Sequence, residues 1–174
     1  MDALALACGD PGARSLADRV VETVALPAVP GKDELDPLLG RLDGRRLVVC
    51  GTDTALAAVV LRLLRTSLLG AVPVGYVASD PSSPAAELWS LPTTPQQALL
   101  LALQGDPERV PLIRDDAGGV LVGLGLLRPV RGVIYCDDQQ VLRGQAAKVE
   151  VTPDPGAGAD TSKDGLIDSA EKTE

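Results

Sequence analysis

The segment spanning residues 46–65 constrains the fold of this chain more than any other. After Arg46 it has a continuous apolar run at residues 47–50, passes through the polar turn 51–54, and continues as an almost uninterrupted apolar stretch at 55–65. An apolar run without alternation is typical of a strand covered on both faces. The stretch after the turn is long enough for a helix, and its apolar surface must lie against a sheet. The segment therefore predicts a buried strand, a tight turn and a helix.

Other apolar runs and turn residues predict further elements. A strand is expected at 3–8, followed by a turn and an amphipathic helix at 13–24. Weaker signals predict a strand at 25–29, a helix at 32–42 and an apolar strand at 70–75. Short strands separated by Asp, Gly and Pro turns are expected at 110–113, 120–127, 132–136, 140–143 and 147–152.

Two helices are expected between residues 84 and 105. The first is short and runs over 84–89. The second has the best terminal signals in the chain, because Thr94 can act as N-cap, Pro95 occupies the first turn, Gln97 completes a capping box and Gly105 follows the last turn.

These elements predict an α/β fold: a small, mostly parallel sheet with helices on both faces, plus a short antiparallel β extension. We expect an α/β domain at 1–115, the extension at 116–152 and a disordered acidic tail at 153–174. The tail has six acidic residues against two lysines, so its net charge of −4 is half of the chain's −8.

Composition excludes several functional classes. The chain has no histidine, which removes Ser-His and Cys-His catalysis and His-ligated zinc. A net charge of −8 and an aromatic content of 2% argue against nucleic-acid binding. The three cysteines, Cys8, Cys50 and Cys136, are far apart and predict buried, reduced thiols. No secretory signal or transmembrane segment is recognisable, so a cytoplasmic location is expected.

The turn Gly51-Thr52-Asp53-Thr54 has two interpretations. In the simpler one, Asp53 or Thr54 caps the helix and does nothing else. In the other, the turn lies at the carboxyl end of a strand, where parallel α/β sheets bind ligands and helix N-termini hold phosphate. An aspartate there could accept the proton of an attacking hydroxyl during phosphoryl transfer.

The second interpretation is strengthened by a resemblance to a known family. The run Val48-Val49-Cys50-Gly51-Thr52-Asp53-Thr54-Ala55-Leu56 resembles the strand, Gly-Gly-Asp-Gly-Thr loop and helix of the diacylglycerol kinase catalytic domain, which is shared by bacterial lipid kinases and sphingosine kinases and related to NAD kinases. Gly51, Asp53 and Leu56 match. In the family's second block, Pro73 and Gly75 match, as does the order of elements to about residue 115.

The resemblance implies ATP-dependent phosphoryl transfer to a lipid or small-molecule hydroxyl, with ATP and Mg²⁺ as cofactors. Asp53 would be the catalytic base or a magnesium-associated carboxylate. Nucleotide contacts would come from residues at the two blocks: Gly51, Thr52, Thr54, Gly75 and Tyr76. The expected partners are a nucleotide and a lipid substrate. A homodimer is an open alternative to a monomer.

Departures from the family pattern support an alternative function. Thr52 and Thr54 replace glycines, and β-branched residues tolerate a positive φ poorly. The Asn-Asp of the second block is missing, and few residues remain for the lipid-binding domain. The alternative is a non-catalytic relative that binds a nucleotide, a lipid or a protein partner.

The acidic tail contains a second candidate site. Residues 160–171 place oxygen-bearing side chains at positions 1, 3, 5, 9 and 12 of a twelve-residue loop, with Gly165 at position 6. This spacing resembles an EF-hand calcium loop, although no helix is expected before it. A solvated acidic tail is the alternative interpretation.

Overall fold

A computed structural model describes residues 2–9, residue 17 and residues 20–156. The chain divides into two compact units, Met1–Glu108 and Arg109–Glu174. The boundary expected at residue 115 therefore falls inside the second unit, just after its first strand. The EF-hand-like loop at 160–171 lies outside the described residues.

The first unit alternates strands and helices along most of its length. Its strands are β1 (Ala3–Cys8), β2 (Glu22–Leu26), β3 (Arg46–Gly51) and β4 (Val74–Ala78), and its described helices are α1 (Lys32–Leu39), α2 (Asp53–Arg65), α3 (Pro84–Leu88) and α4 (Pro95–Gln104). The runs at β1 and β3 are buried along their whole length, as their continuous apolar character predicts.

The four strands form one parallel sheet in the order β2-β1-β3-β4. The central strands pair with Leu4 beside Leu47 and Leu6 beside Val49, and β4 continues this register with Tyr76 beside Val49. The predicted α/β fold, with a mostly parallel sheet and a short antiparallel extension, is confirmed.

The two faces of the sheet differ in the size of their side chains. One face carries small residues, including Ala3, Ala5 and Cys50, and α4 packs on it through Ala98 and Ala102. Because successive side chains alternate, the opposite face carries Leu4, Leu6, Leu47 and Val49, which are fully buried. Helix α2 contacts β3, and its buried residues include Leu56, Val59 and Leu63.

Gly75 allows α4 to approach the sheet closely. A Cβ built on Gly75 would lie 2.5 Å from the carbonyl oxygen of Ala102 and 2.8 Å from its Cα. These are backbone atoms, which cannot move aside as the end of a flexible side chain can. Any larger residue at this position would push helix and strand apart.

Arg46 binds the same end of this helix. Its side chain is buried, and its guanidinium donates to the carbonyl oxygens of Ala102 at 3.0 Å and Gly105 at 2.7 Å. These carbonyls belong to the carboxyl end of α4, where a cation complements the helix dipole. The strand that leads to the Gly51 turn is thus tied to α4 at its first residue.

The second unit is antiparallel. Its strands are β5 (Ile113–Arg114), β6 (Val120–Leu121), β7 (Gly125–Leu127), β8 (Val130–Cys136), β9 (Gln139–Ala146) and β10 (Val149–Val151). Within the described part of the unit they form two-stranded sheets, β5 with β6, β7 with β10 and β8 with β9. The β8–β9 hairpin is the longest of these and turns at Asp137-Asp138.

Several sequence expectations need correction. Residues 22–24, predicted to end a helix, belong to the strand Glu22–Leu26, which pairs with β1. The β-branched Thr23 and Val24 suit a strand at the edge of the sheet. The fourth strand is Val74–Ala78 rather than 70–75. Thr94 is the N-cap of α4 as predicted, but its hydroxyl donates to the Gln97 side chain at 2.6 Å, so the capping box is not formed.

Burial agrees with the expectation for two of the three cysteines. Cys8 and Cys50 are buried, and Cys136 is half-buried. Pro153, placed in the tail, is fully buried. Among the described residues, none of the helices combines the length and apolar character needed to cross a membrane.

The Gly75 contact yields a stability prediction. Gly75→Ala should lower the free energy of unfolding by about 1–3 kcal/mol, because the new methyl group overlaps the backbone of Ala102. Urea denaturation measures the change. The matched control is Gly70→Ala, whose Cβ would meet nothing within 4 Å, and which should stay within about 0.5 kcal/mol of the parent. Equal effects of the two substitutions would contradict the packing role of Gly75.

Candidate functional site

The sheet order defines one crevice in the first unit. Strand β2 lies on one side of β1 and β3 lies on the other, so the chain direction along the sheet reverses between β1 and β3. In open α/β sheets, ligands bind at the carboxyl edge at such a reversal. At this edge β1 ends at Cys8 and β3 ends at Gly51.

Gly51 brings the ends of these strands and α2 together. A Cβ at this position would lie 3.0 Å from Cys8 Cβ, 3.1 Å from Cys8 O and 3.2 Å from Ala55 Cβ. Glycine is therefore needed here for close packing, with no positive φ required. Burial at this edge also raises the pKa of the Cys8 thiol to about 11.

Thr52, rather than Asp53 or Thr54, is the N-cap of α2. Its backbone is extended, with φ −82° and ψ 166°, and its hydroxyl accepts the Ala55 N–H at 3.3 Å. A β-branched residue is comfortable in this conformation. Thr54 is exposed within the first helical turn. The two threonines therefore form an ordinary capped helix start, and the strain expected from replacing glycine does not arise.

The Asp53 carboxylate accepts hydrogen bonds from three donors. The Tyr76 hydroxyl reaches Oδ1 at 2.7 Å, the Ser83 hydroxyl donates to the same oxygen, and the Ala85 N–H donates to Oδ2 at 2.9 Å. Tyr76 lies on β4, whereas Ser83 and Ala85 begin α3. Asp53 thus links the turn after β3 to the connection after β4.

Tyr76 completes this link from inside the protein. Its side chain is 8% exposed, and its hydroxyl also lies 3.1 Å from the carbonyl oxygen of Gly51. Burial raises the pKa of Tyr76 well above its ordinary value, and the hydrogen bond to Asp53 raises it further, while the bond with Ser83 acts in the opposite direction. The phenol therefore stays protonated as a donor.

The loop between β4 and α3 is held by further hydrogen bonds. The Ser79 N–H donates to the Gly51 carbonyl at 2.8 Å. Asp80 accepts from the N–H and hydroxyl of Ser82, at 2.8 and 2.7 Å, and these bonds lower the pKa of Asp80. Ser83 caps α3 by accepting the Ala86 N–H at 3.0 Å. Its hydroxyl therefore donates to Asp53 while accepting from the helix.

This arrangement limits what Asp53 can do chemically. A carboxylate offers roughly four lone-pair positions. Oδ1 serves two hydroxyls and Oδ2 serves a backbone N–H. An aspartate acting as general base, or binding a metal ion, needs an oxygen turned toward the ligand. Here the carboxylate is oriented by its own protein partners, toward β4 and α3.

The surrounding residues do not fit a magnesium site. Among the described residues no group of three or more Cys, Asp or Glu side chains is placed to hold a metal ion. The turn has one carboxylate, that of Asp53, which already accepts hydrogen bonds. The carboxylate of Asp80, in the nearby loop, accepts hydrogen bonds from Ser82. Magnesium prefers several oxygen ligands in octahedral geometry.

The structure brings most of the predicted site residues together. Gly51, Asp53 and Tyr76 are in direct contact, and Thr52 and Thr54 flank Asp53 in the turn. Gly75 stands apart, because it is the second residue of β4 and faces Ala102 of α4. A nucleotide contact for these residues stays a prediction.

Ser83 is the residue that sequence reasoning missed. Its position before Pro84 is a helix-start signal, which explains the cap of α3. Its bond to Asp53 joins residues that are 30 positions apart in the chain. Nothing in the local sequence pattern points to such a partner.

A separate cavity lies in the second unit and contains none of the predicted site residues. Its volume is about 430 Å³, and it is lined by Pro129, Val130, Arg131, Gln145, Ala146 and Ala147. Its charged lining residue is a single arginine. It therefore offers no acid or base pair for chemistry.

No protein-family model matches this chain, and no curated protein is significantly similar to it. The likeness to the diacylglycerol kinase domain consequently rests on the residues of the two blocks and on the order of elements.

The buried Tyr76 predicts a pH effect on stability. The pKa of Tyr76 is higher in the folded state than its ordinary value of about 10. The stability that the protonated phenol contributes is therefore complete below about pH 10 and is lost as the pH rises toward the pKa of the folded state. In this window the free energy of unfolding should fall by up to about 1.4 kcal/mol per pH unit.

Tyr76→Phe isolates this contribution, because the loss of stability that comes from ionising Cys8 at alkaline pH occurs in both proteins. The variant should be less stable near neutral pH, and the difference from the parent should shrink above about pH 10. Urea denaturation as a function of pH measures both. Tyr135→Phe, at a tyrosine that is 61% exposed, is the control. A constant difference between parent and Tyr76→Phe across this window would refute the assignment.

Proposed function

We propose that the first unit is a non-catalytic relative of the diacylglycerol kinase domain, which binds the phosphate groups of a nucleotide at the carboxyl edge of β1 and β3. The observation that carries this proposal is the hydrogen bonding of Asp53. The residue that the family resemblance makes catalytic is held by Tyr76, Ser83 and the Ala85 N–H.

The topology supports the binding half of the proposal. The reversal between β1 and β3 opens a crevice at the edge where α2 begins. The first N–H groups of a helix have no partner within the helix, and the helix dipole favours an anion beside them. Gly51 lets the ends of β1 and β3 lie close together beside these groups.

The Asp53 network supports the non-catalytic half. To act as a base, Asp53 would have to offer an oxygen to the substrate hydroxyl at hydrogen-bonding distance. Turning it away would leave the buried Ser83 hydroxyl without this acceptor and the Tyr76 hydroxyl with the Gly51 carbonyl alone, and an unmet buried donor costs roughly 1–3 kcal/mol. The carboxylate is therefore better suited to hold β4 and α3 than to take a proton.

Calorimetry with ATP and ADP, with and without Mg²⁺, tests the first half of the proposal. The intact chain should bind both nucleotides, since the phosphate groups provide the contact. A parallel assay with ATP, Mg²⁺ and diacylglycerol should show no turnover. Absence of binding to either nucleotide would overturn the proposed site. Turnover that disappears in Asp53→Asn would restore the lipid-kinase function.

A charge variant locates the binding site. Thr54→Glu places a carboxylate on an exposed position in the first turn of α2, where it should weaken ATP binding by about tenfold through repulsion of the phosphates. Gly70→Glu adds the same charge in the loop that follows α2, where a Cβ meets nothing within 4 Å, and should leave binding unchanged. Equal losses in both variants would show that the nucleotide does not sit at the start of α2.

A further inference from the structure

The β8–β9 hairpin of the second unit has two different faces. The pairs Val130–Ala146 and Ile134–Leu142 point to one side, and all four residues are half-buried. The alternate pairs point to the other side, which we call the outward face. They are Arg131–Gln145, Val133–Arg143 and Tyr135–Gln140, and all six residues are exposed.

The outward face carries apolar surface where a polar face is expected. Val133 is 47% exposed and Tyr135 is 61% exposed, although both lie within a strand. Exposed apolar side chains on an uncovered strand face, bordered by polar residues, are a common feature of docking surfaces. Tyrosine is also enriched in interfaces, because it combines a large apolar ring with a polar end.

Charge is arranged in order along this face. Arg131 stands at the open end of the hairpin, Val133 and Tyr135 follow, and the turn residues Asp137 and Asp138 close the other end. On β9, Arg143 lies opposite Val133. The hairpin is therefore positive toward its open end, apolar in the middle and negative at its tip.

This order is complementary to itself when one hairpin is reversed. A twofold axis at the level of Ile134 that lies in the plane between the two faces, at right angles to the strands, places the open end of each hairpin against the tip of the other. Arg131 of one copy then meets the Asp137-Asp138 tip of the other, and Val133 of each copy meets Tyr135 of the other. Each contact occurs twice, as an isologous interface requires.

We propose that the outward face of the β8–β9 hairpin is the contact surface for a second copy of this chain, in a twofold antiparallel dimer. An anionic partner is less suitable, because the tip aspartates lie in the same line as the arginines and would repel it. A cationic partner would meet Arg131 and Arg143. A second copy of the same face places negative charge against the positive end of the hairpin and positive charge against its negative tip.

The size of the face predicts a weak dimer. Strands of 7 and 8 residues cover only a few hundred Å² of surface, well below the roughly 800 Å² per partner of a standard stable interface. The dimer should consequently form in the micromolar range or above and depend on salt, because its end contacts are between charges.

Sedimentation velocity of the intact chain over a concentration series provides the first test. The weight-average mass should rise from monomer toward dimer, and high salt should shift the rise to higher concentration. Val133→Ser with Tyr135→Ser should abolish the rise. Val110→Ser, at a residue that is 54% exposed outside the hairpin, is the control and should not change it. Circular dichroism verifies that each variant is folded.

A charge exchange tests the antiparallel geometry. Arg131→Glu alone and Asp138→Lys alone should each weaken association by about five- to tenfold, because each change occurs twice in a twofold dimer. The two together should restore it. Asp138 is chosen because Asp137 has φ 49°, where lysine would be strained. A chain that is monomeric at all concentrations would overturn the proposal, and so would a double variant weaker than either single one.

Discussion

The carboxylate of Asp53 holds together the part of the sheet on which a function would depend. It accepts from a phenol on β4, from a serine that caps α3 and from the first turn of that helix. Without it, the connection after β4 would be joined to the Gly51 turn mainly by the Ser79 N–H. A single charged side chain thus fixes the relative position of two strand-to-helix connections at the carboxyl edge.

This arrangement explains how the turn accommodates threonines at positions where the family that it resembles has glycines. Thr52 caps α2 in an extended conformation, and Gly51 remains because Cys8 and Ala55 leave no room for a Cβ. The turn therefore retains the residues needed for packing. Asp53 matches the aspartate of that family, but its partners are the protein's own donors, which is the basis for proposing binding without catalysis.

Much of the fold could be predicted from sequence because burial leaves a local pattern. The continuous apolar runs of β1 and β3 predicted strands with both faces covered, and β1 has the predicted bounds. Edges were harder. Val24 fits a helical face by spacing but belongs to β2, because pairing with β1 overrides the local preference.

The site was only partly predictable. Asp53 and Gly51 could be found because they are adjacent in a recognisable turn. Tyr76 was expected near a nucleotide, and its contact with Asp53 became visible only through the register that places it beside Val49. Ser83 carried no signal beyond that of a helix cap. Sequence patterns report local burial and capping, whereas side-chain partners across the sheet are set by register and tertiary packing.

The central claim is that Asp53 is a structural link rather than a catalytic base, and a double-mutant cycle with Ser83 tests it most directly. Asp53→Ala, Ser83→Ala and the double variant are compared by urea denaturation. A structural link predicts a coupling energy of about 1–2 kcal/mol, because each variant alone removes the same hydrogen bond. Additive effects, within about 0.3 kcal/mol, would show that the two side chains do not stabilise the fold together and would contradict the account.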